Sequence, residues 1–144
     1  MATEAQLNDD LKTAMKARDM ETVYVLRGLL TAIKTVKVEK LGAELSEGEI
    51  AGLVRKEINK RAEAADFARK ADRKEQEESN RREQAILEKY MPKQLDAETL
   101  EQTLRGIAAE LGTTQLGPVM AKLKERFPGQ YDGKLASELA RKLI

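Results

Sequence analysis

Apolar residues recur three and four positions apart along most of this chain, the spacing of helices that bury one face. Leu7, Leu11, Ala14 and Met15 mark a first helix, and Thr3 with Gln6 predicts a capping box at its start. Asp19 is suited to cap a second helix, whose stripe is Val23, Leu26, Leu30 and Ile33. Val25, Leu29 and Val36 widen that stripe, which predicts the most buried helix of the set. Gly42 reads as the left-handed residue that ends it. Ser46 and Glu49 form a second capping-box signature, followed by an apolar face of Ile50, Leu53, Val54 and Ile58.

The pattern then thins. Between residues 55 and 84 only Ile58 and Phe67 are large and apolar, and the stretch is dominated by charge and Ala. A helix this polar depends on side-chain pairs three and four apart and on one narrow seam, here Ala62, Ala65 and Ala68. Whether it runs unbroken is open; a break near Ala71-Asp72, with Asp72 capping a fourth helix, is the expectation. The apolar face returns at Ala85, Ile86, Leu87 and Tyr90 and stops at Pro92, since proline disfavours helical geometry just before it.

Beyond Pro92 the helices shorten and the loops carry Gly and Pro. Asp96 is expected to cap a helix with Leu100, Leu104, Ile107 and Leu111 inside and Gly112 at its end. Thr113 or Thr114 is expected to cap the next, with Pro118 in its first turn, where the missing N–H costs nothing. Its face is Leu116, Val119, Met120, Leu123 and Phe127. Pro128-Gly129 marks a turn, and Asp132 starts a last helix carrying Leu135, Leu139 and Leu143. The prediction is an all-α protein: an N-terminal domain of about four helices over 1–92 and a smaller C-terminal one of about three over 93–144.

Composition narrows the chemistry. The chain has no Cys and no His, which removes thiol nucleophiles, disulfides, the imidazole base and zinc sites built on these residues. No Ser-Lys amidase signature and no Gly-rich nucleotide loop stands in the sequence, and Gly129-Gln130-Tyr131-Asp132-Gly133-Lys134 is too short and wrongly spaced for a P-loop. The acidic pairs Glu77-Glu78 and Asp9-Asp10 read as surface charge. No catalytic residue, metal site or cofactor is therefore expected. The N-terminus lacks a basic region followed by an apolar run, and no apolar stretch approaches the ~20 residues of a membrane span, so a cytoplasmic location without membrane contact is expected.

Formal charge is only +1, so any nucleic-acid site must be a local patch. Two patches are candidates. The doublets Arg55-Lys56, Lys60-Arg61, Arg69-Lys70, Arg73-Lys74 and Arg81-Arg82 suggest a phosphate-tracking ridge. Glu57, Glu63, Asp66, Asp72, Glu75, Glu77, Glu78 and Glu83 interleave with them, and a solvated face is the better account. In the C-terminal part, Lys122, Lys124, Arg126, Lys134, Arg141 and Lys142 meet only Glu125, Asp132 and Glu138 nearby in sequence. Five aromatic residues in all leave little for stacking on bases, so recognition there would run through phosphates and shape.

Several segments, in order, resemble the GatB/YqeY family. Leu87-Glu88-Lys89-Tyr90-Met91-Pro92-Lys93-Gln94-Leu95 is similar to its linker, which reads tyrosine, apolar residue, proline, any residue, Gln-Leu. Lys12 to Asp19 looks like its first helix, Leu26-Arg27 like the Leu-Arg of its second, and Leu45 to Ile50 like the start of its third. Leu116-Gly117-Pro118-Val119-Met120 resembles its Met-Gly-Lys-Val-Met, and Tyr131-Asp132-Gly133-Lys134 its Ala-Asp-Gly followed by a basic residue. Pro118 stands where the family often has Lys and Gln130 where it often has Arg; each departure removes a positive charge.

The resemblance implies two helical domains and a role beside the tRNA-dependent amidotransferase, whose B subunit has a similar C-terminal tail that helps hold tRNA. It implies a non-catalytic accessory module that binds tRNA through Lys122, Lys124, Arg126, Lys134 and Arg141. Aminoacylation or amidotransferase machinery would be its surroundings. Two other readings stay open: a protein–protein adaptor without RNA binding, and a component of a glutamine-using carbon–nitrogen ligase active only in complex.

Overall fold

The computed structural model describes residues 2–143. All regular structure among them is helical, in the order α1 (Glu4–Lys16), α2 (Met20–Glu39), α3 (Glu47–Lys70), α4 (Lys74–Glu88), α5 (Ala97–Leu111), α6 (Leu116–Arg126) and α7 (Gly133–Leu143). None of these helices is long and apolar enough to cross a membrane. The chain divides into two compact units, residues 1–91 and 92–144.

In the first unit the helix starts follow the capping residues. Thr3 accepts from the Gln6 N–H at 3.2 Å, and Asp19 accepts from the Thr22 N–H at 3.3 Å and from its hydroxyl at 2.7 Å. Ser46 and Glu49 bond each other's backbone N–H groups, closing the capping box. α2 sends Val23, Val25, Leu26, Leu29 and Ile33 inward. Its core partners are Leu7 of α1, Ile50 and Val54 of α3, and Leu87 of α4. Leu30, placed on the central stripe by spacing alone, is half-buried at the edge. Tyr90 seals the end of α4: its hydroxyl donates to Asp10 at 2.7 Å, and burial followed by that bond pushes its pKa up.

α3 and α4 lie against each other as a hairpin, and the break falls where expected. Its chemistry differs from the expectation. Asp72 is not a cap; it adopts a left-handed conformation, φ +58°, between the two helices. The N-cap of α4 is Arg73, which makes no side-chain capping bond. Asp tolerates this conformation better than most residues, so it turns the chain here as glycine does elsewhere. Ala65 and Ala68 are buried in the seam, where small side chains let the helices approach closely. Phe67 points away and is 71% exposed. Lys60, Arg61, Arg69, Arg81 and Arg82 of the basic doublets each stand within 4 Å of an acid. Arg61 faces Glu83 at 3.3 Å and Glu57 at 3.4 Å, Arg81 faces Asp66 at 2.9 Å, and Arg82 reaches Glu21 on α2 at 3.0 Å.

The second unit closes its own core from Leu100, Leu104, Ile107, Val119, Leu123, Ala136 and Ala140. Two expectations shift here, the placing of Leu111 and the cap of α6, which is neither Thr113 nor Thr114. Leu111 is 40% exposed rather than inside, because it is the last residue of α5. On α7 the deepest residues are Ala136 and Ala140, with Leu135, Leu139 and Leu143 flanking them half-buried. A helix whose centre line is alanine sits close to its neighbours, and its leucines grip the sides. Asp96 accepts from the Thr99 N–H at 2.7 Å, and Gly112 ends α5 with φ +62°. α6 begins at N-cap Gln115, which makes no side-chain capping bond; Thr113 instead accepts from the Gln115 N–H at 3.1 Å, forming a turn just before the helix.

Candidate nucleic-acid interface

The five basic residues singled out by sequence lie on α6 and α7. α6 buries Val119 and Leu123, which leaves its other faces for Lys122, Lys124 and Arg126. Lys122 and Arg126 are four residues apart and share a face; Lys124 is about 200° away from both at 100° per residue. α7 starts at Gly133, and its first-turn Lys134 and last-turn Arg141 are seven residues apart, close to one stripe. Glu138 falls between them on that stripe, four residues after Lys134 and three before Arg141.

These cations are not equivalent. Arg126 forms a two-pronged pair with Glu110 of α5, its two terminal nitrogens 2.7 and 2.6 Å from the two carboxylate oxygens. The Arg126 guanidinium holds the Glu110 carboxyl below the usual carboxylate range, with a smaller contribution from Lys122. Glu110 in turn raises the Arg126 pKa. Lys122 is half-buried and lies 3.5 Å from Glu125. Lys124, Lys134 and Arg141 are exposed and make no ion pair among the described residues. So the structure divides the five: two are drawn toward α5 and α6 acids, and three present unspent charge.

Sequence reasoning missed Glu110. It lies sixteen residues before Arg126, on a different helix, and no local spacing joins the two. The start of α7 is also occupied: Asp132 accepts from the Lys134 N–H at 3.1 Å, so a carboxylate already sits at the positive end of that helix. Tyr131 packs on the core, and burial raises its pKa.

The segment entering this unit is clipped to the turn between α6 and α7. Gln94 donates from its side-chain amide to the carbonyls of Pro92 and Gly129, both at 2.8 Å, and the Leu95 N–H donates to the Gln130 carbonyl at 2.7 Å. The turn itself runs Phe127-Pro128-Gly129-Gln130. It is closed by the Gln130 N–H on the Phe127 carbonyl at 3.2 Å and needs φ +72° at Gly129. The Pro-Lys-Gln-Leu run thus has a structural task, fixing the turn that precedes α7.

With helices, clip and capped Asp-Gly start in order along the chain, comparison with family models is decisive. The Yqey-like protein family model matches residues 4–144. The chain belongs to the Yqey-like family. No curated protein sequence matches it. Within this Yqey-like chain, the residues that carried the resemblance divide by task. Leu26, Gln94, Leu95 and Asp132 serve packing, the clip and the cap, while Arg27 and Lys134 are exposed.

Proposed function

We propose that this Yqey-like chain is a non-catalytic accessory module whose α6–α7 unit holds the phosphate backbone of tRNA. The supporting observation is the set of exposed cations on α6 and α7 that make no ion pair among the described residues, Lys124, Lys134 and Arg141, joined by Lys142 and outnumbering the exposed acids Glu125 and Glu138 on those two helices. The resemblance of this region to the amidotransferase tail supplies tRNA as the nucleic acid. Lys122 and Arg126 contribute less than their positions suggest, because Glu110 and Glu125 already balance them. Contacts of this kind are electrostatic and release counterions, so affinity falls steeply with salt.

The test is binding of the full chain to total tRNA across a salt series, beside a Lys124→Ala/Lys134→Ala/Arg141→Ala variant. The expected result is binding that weakens with salt, with the log–log slope reduced in size by ~2 to 3 in the variant. Arg126→Ala, as a control, changes the slope by less than any one of the three. Absence of binding at low salt sinks the RNA reading. It then favours the adaptor reading, whose own support is the equal number of basic and acidic residues, eighteen each, in residues 1–91.

A further inference from the structure

Between α1 and α2 lies an open cleft of about 320 Å³ that the tRNA reading does not use. Leu11 and Leu30, both half-buried, form its apolar part. Asn8 and Thr31 line it with polar groups, and Arg27 and Lys34 stand along its α2 side. Arg27, Thr31 and Lys34 recur at spacings of four and three, so they form one stripe, with the two cations about 10.5 Å apart along the axis.

The charge balance of the cleft is positive. Glu4 is its only acidic lining residue, and Lys37 holds it at 3.1 Å. Arg27 and Lys34 are exposed and make no ion pair among the described residues. Two unspent cations therefore flank an apolar floor, with one acid at the edge already neutralised.

We propose that this cleft docks an acidic amphipathic helical segment of a protein partner. Such a segment places a leucine-sized side chain on Leu11 and Leu30 and two carboxylates, seven residues apart, on Arg27 and Lys34. A helix repeats its face every two turns, so acids at i and i+7 match the cation spacing, and apolar residues at i+3 and i+4 fall between them on the floor. A phosphate backbone fits less well. It offers nothing apolar to the two leucines, no aromatic residue lines the cleft to stack a base, and residues 1–91 carry eighteen basic and eighteen acidic residues, so no net charge draws in a polyanion.

The probe is a labelled, alanine-based helical peptide with Glu at i and i+7 and Leu at i+3 and i+4, titrated into the full chain. Amide shifts are read by NMR and affinity by fluorescence anisotropy. The expected result is saturable binding whose shifts concentrate at Asn8, Leu11, Arg27, Leu30, Thr31 and Lys34. Arg27→Ala/Lys34→Ala weakens it about tenfold, and Leu→Ser in the peptide abolishes it. The charge-reversed Arg27→Glu/Lys34→Glu chain binds the matching Lys peptide instead. Both cations are exposed, so the variants keep the parent thermal midpoint, which is checked alongside. No saturable binding up to about 1 mM overturns the proposal. So does equal binding by the Ala variant, or preferential binding of an oligo-uridine probe to the same residues. The tRNA reading is tested separately, because Arg27→Ala/Lys34→Ala leaves the tRNA salt slope unchanged if α6 and α7 carry it.

Discussion

A basic residue counts as a binding group only after its acids are found. Arg126 illustrates this, since its charge is matched by Glu110 through two short bonds. Glu110→Gln removes the negative charge while keeping a hydrogen-bond acceptor. Under the tRNA reading it returns one cation to α6, and the log–log salt slope steepens by ~1. A slope identical to the parent's would mean that the α6 face does not meet phosphate. A second residue-scale prediction concerns backbone strain. Leu41 adopts a left-handed conformation, φ +59°, and is 96% exposed, so it carries steric cost without burying its side chain. Asn tolerates that conformation better, and Leu41→Asn is expected to stabilise the chain by ~0.5 kcal/mol. A raised urea midpoint with unchanged slope checks this; a lowered midpoint refutes it.

Helices were legible in the sequence wherever a capping residue and an apolar period agreed. Asp19, Ser46 and Asp96 each cap the helix assigned to them. The misreadings came where position along the chain stood in for packing. Leu111 keeps the apolar period of α5 yet is its last residue and 40% exposed, and on α7 the close approach of the helix sets Ala136 and Ala140 deeper than the leucines beside them. Asp72 has the chemistry of a cap, but the turn needed a left-handed residue more than it needed a side-chain acceptor. The candidate site was legible as a list of cations and illegible as a charge distribution, because the deciding acid comes from α5. The second unit is short enough that its core is marginal, with stability rarely above ~3–5 kcal/mol at this size. Leu123 is fully buried there, and Leu123→Ala costs ~2–5 kcal/mol. The expected outcome is loss of amide-exchange protection across α5, α6 and α7. Protection in α1 to α4 persists, since the core of that unit is built from its own residues. Uniform loss over the whole chain would show that the two units unfold as one.

At the scale of the whole molecule, the absence of His and Cys and the position of the shifted carboxylates together set the response to pH. No side chain has an ordinary pKa between about 5 and 8, so stability is expected to stay level across that range. Among the described residues four carboxyls are held below their usual values, two in each unit. Hydrogen bonds from the Thr22 side chain and backbone lower Asp19; Lys40, then the Ser46 backbone, lower Glu49 to about 2. The Thr99 backbone N–H lowers Asp96, and Arg126 lowers Glu110. A carboxyl whose pKa is depressed on folding binds its proton more readily in the unfolded chain. Its stabilisation is complete above the unfolded value, near ~4, and drains away as pH falls through the folded one. Acid also leaves the 26 Lys and Arg side chains without their 25 counter-charges, and their mutual repulsion acts in the same direction. The thermal midpoint is therefore expected to be flat from pH 8 to 5 and to fall below pH ~4. Asp96→Asn with Glu110→Gln removes two of the four carboxyls held low, both in the second unit, while Asn retains a capping oxygen. In that variant the acid-induced loss of exchange protection across α5 to α7 becomes shallower, and the response of α1 to α4 stays as in the parent. An unchanged acid response in α5 to α7 would mean that the titration of Asp96 and Glu110 adds nothing to the acid sensitivity of that unit, and that general charge repulsion sets its acid limit.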